Sequence, residues 1–550
     1  MRGVQYSKDV ARVAALPRRT WSPEQAQELA ERMTTALRRP AGEQTLRPVQ
    51  AVALYELATL PGALLPIRVG GGKTLISALA ATVTRARRPL LLIPAHLKEK
   101  TEREIWGPGG AAHHWQAPAY IRIESYQQLS TAGSATMLED YRPDLIIADE
   151  CHYLKNPRAA CTRRVSRYMN EHGASCRFVG MSGTLTKRSI RDFAHLATWA
   201  LHEGTPAPLH YRAVEEWALA LDAQVPEGRR LALGALETLG PYGRRLVQTP
   251  GVVASEEAPL AIPLRVTGEF IDVPPACEQA LAHLRSTWET PDGHPIADGI
   301  AAWRHAQELA LGFYYRWDPR PPESWLAPRR AWSSTCRELL KTNRRNLDTE
   351  YQMVLAIEQG YYPEAAPVLR AWQAVRDSFV PNVTPVWLSD HAVDRIRAWM
   401  ADGPGIVWTA HRALGERFGA DYYGAQGLSC AGLSIEAHPP GRALVASVAA
   451  NGTGRNLQAW SRNLIASAPP SGSVWEQLLG RTHRPGQTAP EVTAHVLLGC
   501  VEALTGFWRA VEDAGYAESI TGQAQKLSHA ALDVPEEPPN LFGAQWAKGR

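Results

Sequence analysis

The sequence predicts an α/β fold of two parallel-sheet lobes with a mostly helical insertion between them, on three observations. Short apolar runs alternate with helical periodicities over residues 41–195. The alternation lapses over 196–385, a stretch rich in Trp, Pro and Arg, and resumes over 386–532. The runs are continuously apolar, as strands buried on both faces are. Strands separated by helices must cross over, which yields parallel sheets with helices on both faces.

The elements follow in order. Residues 1–40 form an Arg-rich N-terminal extension, in part helical between Pro23 and Arg39. First-lobe strands are expected at Ala63–Ile67, Pro89–Ile93, Tyr120–Ile123, Leu145–Ala148 and Phe178–Met181, with helices such as Thr74–Arg85 between them. Second-lobe strands are expected at Gly405–Thr409, Ala443–Ser447, Asn463–Ala466 and Val492–Leu498. Residues 533–550, with Pro535-Glu536-Glu537-Pro538-Pro539, are expected to be an extended, mobile tail.

Composition sets the outer limits. A chain of 550 residues is too long for one core, so about two to four domains are expected. Hydrophobic residues make up 45% and charged residues 21%, ordinary for a soluble globular protein. A net charge of +4 neither requires nor excludes nucleic acid, because basic residues can gather on one face. No apolar run approaches the about 18 residues of a membrane span. The charged N-terminus lacks the apolar core of a secretory signal. Seven scattered cysteines without a C-x-x-C pair point to reduced thiols and a cytoplasmic setting. His113-His114 lacks an accompanying Cys or carboxylate cluster and reads as a surface pair rather than a metal site.

Three segments carry chemistry. In Arg68-Val69-Gly70-Gly71-Gly72-Lys73-Thr74, glycines let backbone N–H groups approach phosphates, and the following helix adds its positive end. Lys73 would reach the β- and γ-phosphates, and the Thr74 hydroxyl would sit on Mg²⁺. The full G-x-x-x-x-G-K-[ST] pattern is broken by Ile67, leaving G-x-G-K-T. Asp149-Glu150 follows the apolar run Leu145-Ile146-Ile147-Ala148, so a buried strand delivers two carboxylates to the edge where α/β sheets bind ligands. Asp149 would hold Mg²⁺ through water, and Glu150 would position and deprotonate the attacking water. In Arg481-Thr482-His483-Arg484-Pro485-Gly486-Gln487, two arginines could stabilise the charge that develops in phosphoryl transfer.

With these elements in this order, the chain resembles superfamily-two helicases of the Swi/Snf-type DNA translocase family, from Leu46 to Leu498 apart from parts of the insertion. Leu46-Arg47-Pro48-Val49-Gln50 matches the family's adenine-reading element, with Gln50 as the base contact. Pro94-Ala95-His96-Leu97 and Ile123-Glu124-Ser125-Tyr126 match segments that touch the tracked strand. Asp149 to Asn156 matches the D-E-x-H-x-x-K-N run, and Ser182-Gly183-Thr184 the element coupling hydrolysis to lobe movement. Ser447 through Asn451-Gly452-Thr453-Gly454-Arg455-Asn456-Leu457 and Gln477 through Gln487 match the last two motifs. Arg244-Arg245 and Glu269 to Leu284 echo the family's protrusion, which grips duplex DNA.

The resemblance implies two RecA-like lobes, with ATP and Mg²⁺ as cofactors. It implies ATP contacts from Gln50, Gly70, Gly71, Gly72, Lys73, Thr74, Asp149 and Gly454, and catalysis by Lys73, Glu150, Arg481 and Arg484. It implies coupling through His152, Ser182, Thr184 and Gln477, and nucleic-acid contacts at His96, Ser125, Thr409 and Asn451. Departures include Ile67-Arg68 for the usual acidic pair, Leu185-Thr186 for Pro and Asn, Asn451 for the first motif-five glycine, and Ala468–Gly472 for the Trp-Asn-Pro run. No reader domain is present, which suggests a compact bacterial or phage-type member acting in the bacterial cytoplasm or an infected host cell.

A basic stretch from Arg320 to Arg345 includes Arg329, Arg330, Arg337, Lys341, Arg344 and Arg345, interleaved with Trp325 and Trp332. It could bind phosphates and stack on bases, or fold as a helix whose rings are core. The N-terminal Arg12, Arg18, Arg19, Arg38 and Arg39 allow the same two readings. The expected activity is ATP-driven translocation on duplex or forked DNA by a monomer, with replication, repair or recombination proteins as partners. An RNA-directed helicase and a non-catalytic nucleic-acid scaffold are the competing readings.

Overall fold

The computed structural model describes residues 3–537 apart from 69, 223–224, 226, 256–261, 294–295, 297–298, 343–349, 381 and 453. The chain divides into two compact units. Unit 1 comprises Met1–Glu257, Arg330–Trp372 and Tyr516–Gln523; unit 2 comprises Ala258–Arg329, Gln373–Gly515 and Ala524–Arg550.

Unit 1 is built on five strands: β1 (Ala63–Leu65), β2 (Pro89–Ile93), β3 (Arg122–Ser125), β4 (Leu145–Asp149) and β5 (Arg177–Met181). All pair in parallel, in the order β1-β5-β4-β2-β3. Successive side chains feed opposite faces. Leu64, Leu90, Leu92, Ile146 and Phe178 enter one core with Val165 and Trp217. Leu65, Leu91, Ile93, Ile147 and Val179 enter another with Leu54 and Leu79. Each such Leu or Ile removed from water contributes roughly 1.5–3 kcal/mol, which is why these runs are apolar throughout.

The N-terminal extension is part of unit 1. Helix α1 (Lys8–Ala15) is capped by Ser7, and α2 (Pro23–Leu37) by a capping box of Ser22 and Gln25 with Pro23 in its first turn. Arg245, buried, donates to the carbonyl of Val13 at 3.1 Å, in the last turn of α1, and to that of Leu16 at 2.8 Å, just past its end. Arg12 donates to the carbonyls of Glu203, Thr205 and Ala207 at 2.7, 2.6 and 2.6 Å. Arg19 pairs with Glu56. Arg12, Arg19 and Arg245 are thus engaged within the fold. Three further helices matter below: α3 (Pro48–Thr59), α4 (Lys73–Thr84) and α5 (Lys98–Trp106).

Unit 2 contains β6 (Leu264–Phe270), an antiparallel pair β7 (Phe313–Trp317) and β8 (Val383–Trp387), then β9 (Ile406–Thr409), β10 (Tyr422–Tyr423), β11 (Leu444–Ser447), β12 (Arg462–Ile465), β13 (Val492–Leu498) and β14 (Ala531–Asp533). Seven of these form a parallel sheet in the order β10-β11-β9-β12-β13-β6-β14. Its faces too are both covered: Trp408, Leu444, Ala446, Ile465 and Val496 lie in one core, and Val407, Val445, Leu464 and Leu497 in another with Ile396 and Trp399.

The stretch 196–385, expected as a mostly helical insertion, holds β6, β7 and part of β8 among its helices. It is divided between the units, and β6 within it is an internal sheet strand, paired with β13 over seven residues. The physical reason is its mixed polarity: only Leu264 and Val266 of β6 are buried, beside Arg265, Thr267 and Glu269. The tail was expected to be mobile from Asp533, but Asp533 closes β14 and the Pro535 carbonyl accepts from Trp508 Nε1 at 2.8 Å. The rest, from 538, lies outside the described residues. Among the described residues, no helix is long and apolar enough to cross a membrane, and no three His, Cys, Asp or Glu are placed to hold a metal ion. All seven cysteines are free.

Candidate functional site

In unit 1, β4 and β1 flank β5, with Leu65 and Asp149 both paired to Met181. Three loops therefore leave the same sheet edge side by side. The loop after β1 leads through three glycines into α4. Gly70 and Gly72 have φ of 84° and 82°, a left-handed backbone that glycine adopts without strain. Gly72 also lacks room, because a Cβ there would lie 2.1 Å from Gln50 Nε2, and one at Gly71 would lie 2.4 Å from Ile67 Cγ2. The loop is held from α3 and its cap: Gln50 Nε2 donates to the Gly72 carbonyl at 3.2 Å, and Arg47 Nη1 to the Gly70 carbonyl at 2.8 Å. Val69 lies outside the described residues.

Lys73 opens α4 and turns its ammonium back along the loop. Its Nζ donates to the Ile67 carbonyl at 3.1 Å and lies 3.6 Å from Glu150 Oε1, with both side chains largely enclosed. The second Glu150 oxygen accepts from Ser182 Oγ at 3.2 Å and lies 3.2 Å from His152 Nδ1. His152 Nδ1 is 3.0 Å from Ser182 Oγ and 3.4 Å from Thr184 Oγ1. Three residues, Lys73, His152 and Ser182, thus converge on one carboxylate, with Thr184 touching the last two. Asp149 Oδ1 accepts from the Glu150 N–H at 3.0 Å, and the Tyr126 hydroxyl donates to the Asp149 carbonyl at 2.7 Å.

The two carboxylates are driven apart in proton affinity. Burial and the neighbouring Glu150 push Asp149 up to about 6, against the pull of Lys73. Burial also works upward on Glu150, but Lys73 and the contacts with His152 and Ser182 outweigh it and hold Glu150 well below the ordinary carboxylate range. Glu150 is thereby kept ionised, while Asp149 carries charge that a cation would relieve. Thr74 Oγ1 faces Glu104 Oε2 at 3.4 Å. The hard oxygens of Thr74 and Asp149 suit Mg²⁺.

Other expected residues are placed less simply. His96 is exposed beyond β2, and Ser125 ends the adjacent β3, but the Ser125 hydroxyl is buried and accepts from the Gln128 N–H at 2.9 Å as a helix cap. In unit 2, Thr409 and Asn451 are buried and serve the unit's own backbone. Thr409 Oγ1 accepts from the His411 N–H at 3.0 Å; Asn451 Nδ2 donates to the carbonyls of Tyr423 at 2.9 Å and Ser447 at 3.3 Å. Those two side chains do not face solvent where a strand could reach them. Arg329 stacks on Trp325 and Trp317, at 5.0 and 5.3 Å from the ring centroids, while Arg330 is exposed. Trp325 and Trp332 are buried, so these rings are core rather than stacking platforms. Arg344 and Arg345 lie outside the described residues.

Arg481, Arg484, Gln477 and Gly454 also belong to unit 2. Arg481 Nε donates to the Gln477 carbonyl at 2.8 Å and its Nη1 to the Arg455 carbonyl at 3.1 Å. Arg484 Nη1 donates to Asn456 Oδ1 at 2.5 Å and to the same Arg455 carbonyl at 3.4 Å. Gly454 takes φ of 71°. Sequence reasoning missed Glu104, a third carboxylate beside Thr74. It also gave Arg47 no role of its own, although Arg47 holds the glycine loop. Neither carries a pattern of its own, because each is placed by how α5 or α3 packs. No protein-family model matches the chain, and no curated protein matches it significantly.

Proposed function

We propose that this chain hydrolyses ATP with Mg²⁺ and uses the cycle to move along or remodel DNA, as a Swi/Snf-type superfamily-two translocase with two RecA-like lobes would. The observation that carries this reading is the Lys73–Glu150 pair at 3.6 Å, set against a left-handed glycine loop at one end of a parallel sheet. Lys73 would exchange its bond to the Ile67 carbonyl for phosphate oxygens. Glu150, ionised and oriented by His152 and Ser182, would take the proton of the attacking water. Ser182 and Thr184 follow β5, so a movement of that loop would be felt at Glu150. Magnesium, held by Thr74 and Asp149, would neutralise charge on the phosphates. Arg481 and Arg484 are assigned to the charge that develops on the transferred phosphoryl group. DNA is favoured over RNA by the Lys155-Asn156 and Gly486-Gln487 extensions of the matching motifs.

The test is steady-state ATP hydrolysis without nucleic acid and with single-stranded, duplex and forked DNA and RNA, for wild type and Glu150→Gln. The expected result is stimulation by duplex or forked DNA, reduced by about 100-fold or more in the variant. Stimulation mainly by RNA would identify an RNA-directed enzyme. No turnover in any condition would overturn the enzymatic reading in favour of a scaffold.

A further inference from the structure

We propose that Arg455 is a positioning residue for Arg481 and Arg484, set in place by its ion pair with Glu436; this rests on the ATPase reading above. The Arg455 carbonyl accepts from Arg481 Nη1 at 3.1 Å and from Arg484 Nη1 at 3.4 Å. A carbonyl oxygen has two lone pairs and can serve both donors at once. Both arginines are therefore tied to one peptide group, beside the Gln477 carbonyl for Arg481 and Asn456 Oδ1 for Arg484.

That peptide group is tied by its own side chain. Arg455 Nη1 lies 3.1 Å from both oxygens of Glu436. Glu436 is itself fixed, because Ser434 caps the short turn that carries it, with the Glu436 N–H donating to Ser434 Oγ at 3.3 Å. Burial works upward on the Glu436 carboxyl, but the Ser434 hydrogen bond, its own N–H and Arg455 hold it below the ordinary range, so it stays charged.

A second observation shows that the connection between β10 and β11 is shaped around this guanidinium. Gly427 takes φ of 71°, and a Cβ there would lie 2.1 Å from Arg455 Nη2 and 2.6 Å from Asn451 Oδ1. Asn451 is pinned by the Tyr423 and Ser447 carbonyls. Arg455 thus passes through a slot that glycine at 427 leaves open and reaches Glu436 beyond it. An exposed ion pair alone contributes little to stability. Its effect here is directional, since a shift of the Arg455 peptide would re-aim two guanidinium groups together.

The experiment uses the full chain with the most stimulating nucleic acid. Turnover, KM for ATP and unfolding temperature are measured for wild type, Glu436→Gln, Arg455→Ala and the double variant. The expected result is a kcat about tenfold lower in each single variant, with KM for ATP within about twofold. The double variant is expected to be no worse than Arg455→Ala, because both changes cut one linkage. Unfolding temperatures should stay close to wild type. A kcat unchanged in both single variants, additive losses, or a kcat loss matched by a fall in unfolding temperature would overturn the proposal. If wild type turns over and Glu150→Gln does not, such a result removes this inference alone. If wild type never turns over, the ATPase reading falls and this inference with it.

Discussion

At Glu150 the backbone takes φ of 53°, which is uncommon for a residue with a side chain and costs about 1 kcal/mol or more. The turn aims the carboxylate at Lys73, and the convergence of His152 and Ser182 on it holds that direction. Its neighbour Asp149 yields a prediction with a definite sign. Its folded pKa is raised to about 6 from an ordinary value of 3.8. The neutral form is favoured on folding, an advantage complete below the ordinary value and lost as pH rises through the folded one. At neutral pH the ionised Asp149 therefore weighs against the folded state. Without Mg²⁺, Asp149→Asn should unfold about 2–6 °C above wild type near neutral pH. The difference should shrink to nothing below the ordinary pKa, as followed by thermal melts across pH. A melting temperature at neutral pH no higher than wild type would contradict this account. The motif residues themselves were readable from spacing, because Lys73, Asp149 and Glu150 each sit at an element boundary that local sequence dictates. Glu104 was not, since nothing local places α5 beside Thr74.

At the scale of elements, every strand expected before residue 196 exists within two residues at either end, and so do the four expected after 386. These strands are buried on both faces, so their runs of Leu, Ile and Val stand out from the polar helices around them. β6, β10 and β14 did not stand out: β6 is half polar, and the other two are very short. The N-terminal residues were expected as an extension, and Arg245 and Arg12 tie α1 to the body of unit 1 through backbone carbonyls. Replacing Arg245 by leucine would leave buried carbonyls unpaired. Arg245→Leu is expected to destabilise the protein by about 2–4 kcal/mol, read from chemical denaturation. Hydrogen exchange should quicken over α1 first, and protection there equal to wild type would refute the tie.

Over the whole molecule, the units do not follow the chain in blocks, and unit 2 draws on three separate segments. A fragment beginning at residue 386 contains most of the second sheet but lacks β6, which lies between β13 and β14 and buries Val266 in their core. Without β6, β13 would expose an unpaired edge, and β14 would lose the strand it pairs with. That fragment is expected to show no cooperative thermal transition by near-UV circular dichroism, and a sharp one would sink this account of the unit. The sequence by itself determined the α/β class, most strands of both parallel sheets and the residues of the glycine loop and acidic strand end. Each of these depends on burial and turn preferences that act within a few residues. Only the tertiary structure decided which strand completes the second sheet, and that Thr409 and Asn451 are enclosed. It alone showed that Lys73, His152 and Ser182 gather on Glu150 and that Arg481 and Arg484 share the Arg455 carbonyl. Those outcomes depend on contacts between residues far apart in the chain, where no local periodicity or propensity records the partner.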